Sequence, residues 1–385
     1  MSINRVVPVL GLLALGLVWV LDLGTILPNR IVPGTGYGLW SAVGWPGASL
    51  VTAVLVGCLL LSLLPLRSRY LPLLILVSAS LALLPLLLEV FAARHLPEDS
   101  PYARSSIAAG FWCLLFFLSL MLIEVLGRVG RGRGLQMGLL LAISGSWVWF
   151  FSGDGLESLS LVREFNARPQ KFEQALWTHL ALALGAVSVS AVLAFGLAMK
   201  MIRSVAWRRP ILGVVSFLQT IPSLAVFGLL IAPLSALVEA FPFLQTLGIR
   251  GIGWAPAMLA LVAYSLLPMV RNTYVALTDV PESLADAGRG MGMNERQLFF
   301  GLKLPLALPV IVEGVRITTI QAIGLTAVAA LIGAGGFGSF IFQGLGQAAM
   351  DLVLLGALPT IALALLADAL LTMLAASLRP KPATT

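Results

Sequence analysis

Asp279-Val280-Pro281-Glu282-Ser283-Leu284-Ala285-Asp286-Ala287-Gly288-Arg289-Gly290-Met291-Gly292 separates two long apolar runs, and Asn294-Glu295-Arg296-Gln297-Leu298-Phe299-Phe300 follows it on the way to Leu302-Lys303-Leu304-Pro305. Asp279 stands before Pro281 as a helix cap, Pro281 suits a first turn, and Glu282 complements the positive end of the helix dipole. Gly292 stops that helix. Asn294 with Gln297 three residues on reads as a capping box, opening a second short helix that ends before Pro305. The stretch thus predicts a helix, a glycine turn and a helix. Small residues at Ala285, Ala287, Gly288 and Gly290 let another protein approach the backbone, while Asp286 and Arg289 supply charge and register. Glycine costs up to about 1 kcal/mol against alanine in a helix, which an isolated helix does not recover. A docking partner explains the pattern, and on composition alone an ordinary solvated loop stays open beside it.

The surroundings of this loop are a membrane. Of 385 residues, 59% are hydrophobic and 11% charged, where soluble domains carry about 25% charged residues. With a mean hydropathy of +0.99, this excludes a soluble globular protein. Ten apolar runs are long enough to span a bilayer, near 6–23, 46–66, 71–91, 106–127, 134–151, 176–200, 210–235, 254–275, 307–332 and 353–377. The first follows Arg5 like a signal peptide, but Leu21-Asp22-Leu23-Gly24 offers no small-x-small cleavage site, so it reads as an uncleaved helix.

The basic residues test this count, because short cytoplasmic connections retain Lys and Arg. On one side fall Arg5, Arg67, Arg69, Arg128, Arg131, Arg133, Lys200, Arg203, Arg208, Arg209, Arg271, Arg289, Arg296, Lys303, Arg316, Arg379 and Lys381. On the other fall Arg30, Arg94, Arg104, Arg163, Arg168, Lys171 and Arg250, beside the acids Glu98, Asp99, Asp154, Glu157 and Glu164. The split puts both termini and the 279–304 loop in the cytoplasm. A net charge of +7 is therefore a record of orientation and does not point to nucleic acid. Residues 1–151 form a five-helix accessory region, 152–175 an outer connection, and 176–378 a second set of five helices holding the unusual loop.

Several chemistries are excluded. The lysines, Lys171, Lys200, Lys303 and Lys381, precede Phe, Met, Leu and Pro, so no Walker A motif exists and ATP hydrolysis by that route belongs to another chain. Gly333-Ala334-Gly335-Gly336-Phe337-Gly338 satisfies G-x-G-x-x-G without the surrounding βαβ unit or later acid that a dinucleotide site needs, so no cofactor is expected and the segment reads as a flexible turn at an outer helix end, at a gate or under a docked outer protein. Cys58 and Cys113 lie in apolar runs, His95 in an outer loop and His179 at the start of the sixth run. No metal or catalytic cluster follows from them. Asp22, Glu89, Glu124, Glu313, Arg316 and Asp368 are read as lying near helix ends, where they snorkel or pair, and no proton-relay series crosses a helix. Gln219, Thr220, Pro222 and Ser223 break the seventh run with polar groups at membrane depth, lining a path or packing between helices.

Asp286-Ala287-Gly288, Gly292 and Leu302-Lys303-Leu304-Pro305 resemble, at every spacing, the E-A-A-x3-G-x9-I-x-L-P loop of ABC importer permeases. Asp286 stands for Glu, Gly288 for the second Ala and Leu302 for Ile. Over roughly 174–378 the chain is similar to glycine betaine/choline osmoprotectant permeases, through Leu218-Gln219-Thr220-Ile221-Pro222-Ser223-Leu224-Ala225, Leu266 to Thr273 and Leu331 to Gly338. Its extended N-terminal half is similar to that of low-affinity glycine betaine permeases. The resemblance implies an all-α polytopic protein with a C-terminal type I ABC importer (MetI-like) transmembrane core. It implies as partners a cytoplasmic ATPase dimer, a second permease subunit and a periplasmic solute-binding protein. Asp286, Ala287, Gly288, Arg289, Gly292 and Pro305 would then couple to the ATPase. Gln219, Thr220, Pro222, Ser223, Tyr264 and Phe337 would line the path, and a quaternary ammonium solute would be met by aromatic faces such as Phe217, Phe227, Tyr264 and Phe337. A permease for another small solute such as an amino acid, or an ion-coupled carrier, stays as the alternative.

Overall fold

The structure, a computed structural model, describes residues 5–30, 32–64, 69–96, 102–130 and 133–379. Arg67, Arg131 and Lys381 on the basic side of the charge split, and Glu98 and Asp99 on the other, lie outside the described residues. Two compact units divide the chain, Met1–Ala167 and Arg168–Thr385. Among the described residues nine helices are long and apolar enough to cross a membrane.

In the first unit, α1 (Val6–Val20) has 15 residues, about 22 Å of rise, and is shorter than the 6–23 run suggests. Leu21 turns extended and Asp22 opens a strand instead. β1 (Asp22–Leu27) pairs antiparallel with β2 (Thr35–Gly38) and with β3 (Arg104–Ile107), giving the order β2-β1-β3. Gly24 is required there: a Cβ on it would meet the Phe91 ring at 2.5 Å. α2 (Leu39–Leu63) is kinked at Gly44, with φ +71, and contains Pro46. α3 (Tyr70–His95), α4 (Ala109–Val129) and α5 (Arg133–Ser152) follow, and α6 (Ser160–Asn166) closes the unit. Glu164 on α6 is buried and takes Arg30 at 2.8 Å and Arg104 at 2.9 Å, tying α6 to β3 and to the chain after β1.

The second unit begins with α7 (Pro169–Arg203), 35 residues long. It starts at Pro169, whose fixed φ and missing N–H suit a first turn, so His179 lies well inside the helix and not at its start. Ala186, Ser190, Ala194 and Ala198 recur every fourth residue and are fully buried. Lipid is as apolar as leucine, so helices in a bilayer associate through close packing of such small residues. α11 (Trp254–Thr278) packs against α7 with Ala257 and Ala260 fully buried, and the Ser190 hydroxyl donates to the Val262 carbonyl at 3.2 Å.

The seventh apolar run is two helices, α8 (Arg208–Thr220) and α9 (Ser223–Ala240), separated at Ile221 and Pro222. A short α10 (Phe243–Thr246) precedes α11. After α11 come α12 (Glu282–Gly290) and α13 (Glu295–Leu298), then a π turn over Phe299–Lys303, α14 (Leu304–Ala329), α15 (Gly338–Gly346) and α16 (Met350–Leu378).

Candidate functional site

The 279–304 loop has the expected helix, turn, helix order, with two differences. Asp279 caps the C-terminus of α11, and Pro281 holds the N-cap position of α12 without a side-chain bond. The second helix also does not end before Pro305, because α13, the π turn and α14 run on as one helical segment. Proline lacks an N–H and crowds the preceding turn, and a π turn relieves this by letting the Leu304 N–H reach back to the Phe299 carbonyl.

The turn itself is fully specified. Met293 N–H donates to the Gly288 carbonyl at 3.1 Å and Gly292 N–H to the Arg289 carbonyl at 2.9 Å, the paired bonds of a Schellman stop. Gly292 has φ +84, a left-handed conformation costing other residues about 1–2 kcal/mol. Asn294 and Gln297 form the capping box, with bonds of 2.8 and 2.9 Å. Arg289 donates to Asp286 at 2.9 Å and to Glu295 at 3.3 Å, joining α12 to α13. Glu295 first, and Asp286 with it, raise the Arg289 guanidinium above its already high range.

The small residues divide by face. Ala285 and Gly288 are buried, and a Cβ on Gly288 would meet Leu298 Cδ1 at 2.7 Å. Glycine at this position is therefore set by packing within the chain and not by a partner's approach. Ala287, Gly290, Asp286 and Arg289 are exposed on the opposite face, as is Met291. Pro305 is exposed at the start of α14.

At the break between α8 and α9, Gln219 Nε2 donates to the Tyr264 carbonyl at 2.8 Å and the Tyr264 hydroxyl donates to the Ile221 carbonyl. The Ile221 carbonyl before Pro222 is thus answered from α11, and the α11 carbonyl of Tyr264, four residues before Pro268, is answered by Gln219, as a bilayer requires. Thr220 and Pro222 are exposed, Gln219 and Ser223 half-buried, Tyr264 buried. Of the aromatic candidates, Phe217 is exposed, while Phe227 and Phe337 are buried.

Gly333, Gly335 and Gly336 all have positive φ and form the turn between α14 and α15. Phe337 packs against Phe172 and His179, with ring centroids 5.2 and 5.4 Å away. His179 Nε2 bonds the Ile323 carbonyl at 3.0 Å, and the Phe337 N–H donates to Nδ1 at 3.4 Å. The histidine is a cross-brace between α7, α14 and this turn.

Sequence reasoning missed one constellation. Glu313, Arg316 and Asp368 are not near helix ends: Arg316 in α14 pairs with Glu313 one turn back and with Asp368 on α16 at 2.8 Å, and donates to Thr372 at 3.1 Å. A single charge at the bilayer centre costs about 2.5–3.5 kcal/mol, so an intramembrane Glu-x-x-Arg is itself the signal. Its partner stands 52 residues away and is invisible to local reading.

Compared with known proteins, residues 186–380 match the family described as "Binding-protein-dependent transport system inner membrane component", and residues 4–162 match "ABC transporter permease YehY, N-terminal domain". The chain belongs to the binding-protein-dependent inner membrane transport family. It is 38% identical over 205 residues to the carnitine transport permease OpuCB of Listeria monocytogenes, covering 53% of this chain and 87% of that one. It is 40% identical over 203 residues to the osmoprotectant import permease OsmW of Salmonella typhimurium, covering 53% and 89%, and 35% identical over 204 residues to the choline permease OpuBB of Bacillus subtilis, covering 53% and 87%. The inward-facing MetNI methionine ABC transporter aligns at 20% identity over 54% of this chain and 96% of its own, with a TM-score of 0.47. The protein is thus a multi-pass permease subunit of an ABC importer, a family that works with an ATPase and a solute-binding protein.

Proposed function

We propose that this permease carries glycine betaine or a related quaternary ammonium solute, handed over by a periplasmic binding protein and driven by a cytoplasmic ATPase dimer through two permease subunits. Carnitine, choline and osmoprotectant permeases among its relatives support the solute class. The chain itself hydrolyses no ATP. Both termini are cytoplasmic, residues 1–151 are an accessory region, and 176–378 form the transporting core. ATP-driven closure of the ATPases pulls on the 279–304 loop and rocks the helices between outward and inward openings. Asp286, Ala287 and Arg289 present the contact face, while Gly288, Gly292 and Pro305 hold its shape. Gln219, Thr220, Pro222 and Ser223 line the path, with Tyr264 and Phe337 bracing it from behind. A quaternary ammonium has no N–H to donate, so aromatic faces hold it, and much of that selectivity sits in the binding protein.

The observation that carries this reading is α12, a short helix with Asp286, Ala287 and Gly290 exposed, closed at its C-terminus by a Schellman stop that leads directly into the capping box of α13. Ala287→Lys places a long cation on that face. It is expected to abolish ATPase retention on the purified permease and ATP-coupled uptake while leaving membrane insertion intact. Unimpaired coupling in this variant contradicts the assignment.

A further inference from the structure

Arg316, Glu313, Asp368 and Thr372 meet between α14 and α16, within two helical segments long and apolar enough to cross a membrane. Arg316 stands twelve residues after Leu304 and thirteen before Ala329, and Asp368 ten before Leu378. At 1.5 Å per residue Arg316 is about 18 Å and Asp368 about 15 Å from the nearer end of its helix, Glu313 about 13 Å and Thr372 about 9 Å. In the chain as described it is nevertheless open: the Arg316 side chain is 26% exposed, and those of Glu313 and Asp368 are 41% exposed. Arg316 Nε is buried without a partner. Hydrocarbon cannot solvate the free carboxylate lone pairs, so this flank faces protein or water. One cation against two carboxylates leaves a net charge of −1. A second copy packed symmetrically on the flank sets one anionic cluster against another, whereas water and a passing cation relieve both.

We propose that the α14–α16 flank around Arg316 lines an aqueous section of the translocation path, and that the Glu313–Arg316–Asp368 cluster is a transit site for the quaternary ammonium group of the solute. The proposal rests on the solute class given under Proposed function, but its water-lined geometry does not. Arg316 holds the two carboxylates apart and lowers their joint charge, so that a cation is attracted and also released. Attraction at this transit site is by charge, without a hydrogen bond, and complements the aromatic faces that hold the same group elsewhere along the path.

The test uses the assembled importer in liposomes, with Cys58→Ser and Cys113→Ser as background. Ile317→Cys and Thr372→Cys are introduced singly, with Leu366→Cys, on the far side of α16 from Asp368, as the comparator. The probe is methanethiosulfonate ethyltrimethylammonium, itself a water-soluble quaternary ammonium. Positions 317 and 372 are expected to react at rates that change with nucleotide and fall in the presence of choline, with Leu366→Cys unreactive. Asp368→Asn is expected to raise the KM for choline about tenfold, with Asp368→Glu restoring it. If neither 317 nor 372 reacts in any nucleotide state while wild-type uptake of quaternary ammonium solutes proceeds, the path assignment is wrong and the solute class stands. Spontaneous disulfides between copies at 317 or 372 make the flank a subunit contact and overturn the proposal. If the positions react but the importer moves no quaternary ammonium solute, the solute class falls and only the aqueous path survives.

Discussion

Gly292 offers the cleanest perturbation of the 279–304 loop. Its φ of +84 is reached by an L-residue at about 1–2 kcal/mol, and no atom lies within 4 Å of where its Cβ would sit. Gly292→Ala therefore changes backbone energy alone, without a clash. If the ATPase grips the loop in its native turn, that cost appears in association, weakening it by about 5–30-fold. Asparagine visits the left-handed region more readily than alanine, so Gly292→Asn is the milder variant. Gly292→Pro is the severe one, since its φ is fixed near −65° and it lacks the N–H that meets the Arg289 carbonyl at 2.9 Å. The assay is retention of the ATPase on purified permease across dilution, with thermal unfolding of the permease alone as control. The expected order of loss is Asn, Ala, Pro, with little change in unfolding temperature because the turn is exposed. Equal retention by all three, or loss that merely tracks unfolding temperature, refutes the reasoning.

Three further outcomes follow from buried polar contacts. Tyr264→Phe strips the hydroxyl from the Ile221 carbonyl at the α8–α9 break and is expected to cost about 1–3 kcal/mol, read as a lower unfolding temperature of the detergent-solubilised permease; an unchanged temperature contradicts it. His179→Leu removes the bond to the Ile323 carbonyl and the acceptor for the Phe337 N–H, with a similar expected loss of about 1–3 kcal/mol and faster proteolysis at the 333–338 turn; wild-type resistance argues against the brace. Glu164→Gln leaves Arg30 and Arg104 facing a neutral amide and is expected to destabilise the first unit by about 1–3 kcal/mol, detected as faster hydrogen exchange in β3 and α6; unaltered exchange there shows that the pairs are dispensable.

Much of the fold is legible because its signals are local. Apolar runs, the Asn294–Gln297 capping box and the Gly292 stop each depend on residues within a few positions of one another. The β-sheet is not legible: β1 has six residues and β2 and β3 four each, too brief for alternation to be read, and β3 comes from a different connection, after α3, than β1 and β2. Gly288 shows a different limit. Its smallness suits a partner's approach equally well, and the contact that decides, with Leu298, is made only once α12 folds back on α13. Pro305 misleads for a physical reason, since a π turn lets the helix continue where proline ordinarily ends one. The Arg316 cluster needs α14 and α16 side by side, a tertiary fact that no window along the chain contains.

The central claim is that ATP binding and hydrolysis elsewhere drive a quaternary ammonium solute through this chain. It is tested most directly by uptake of labelled glycine betaine into liposomes bearing the permease and its ATPase, with binding protein outside and ATP inside. Uptake is predicted to require internal ATP and to continue when an uncoupler collapses the proton gradient. Uptake that survives without ATP and disappears with the uncoupler contradicts the account.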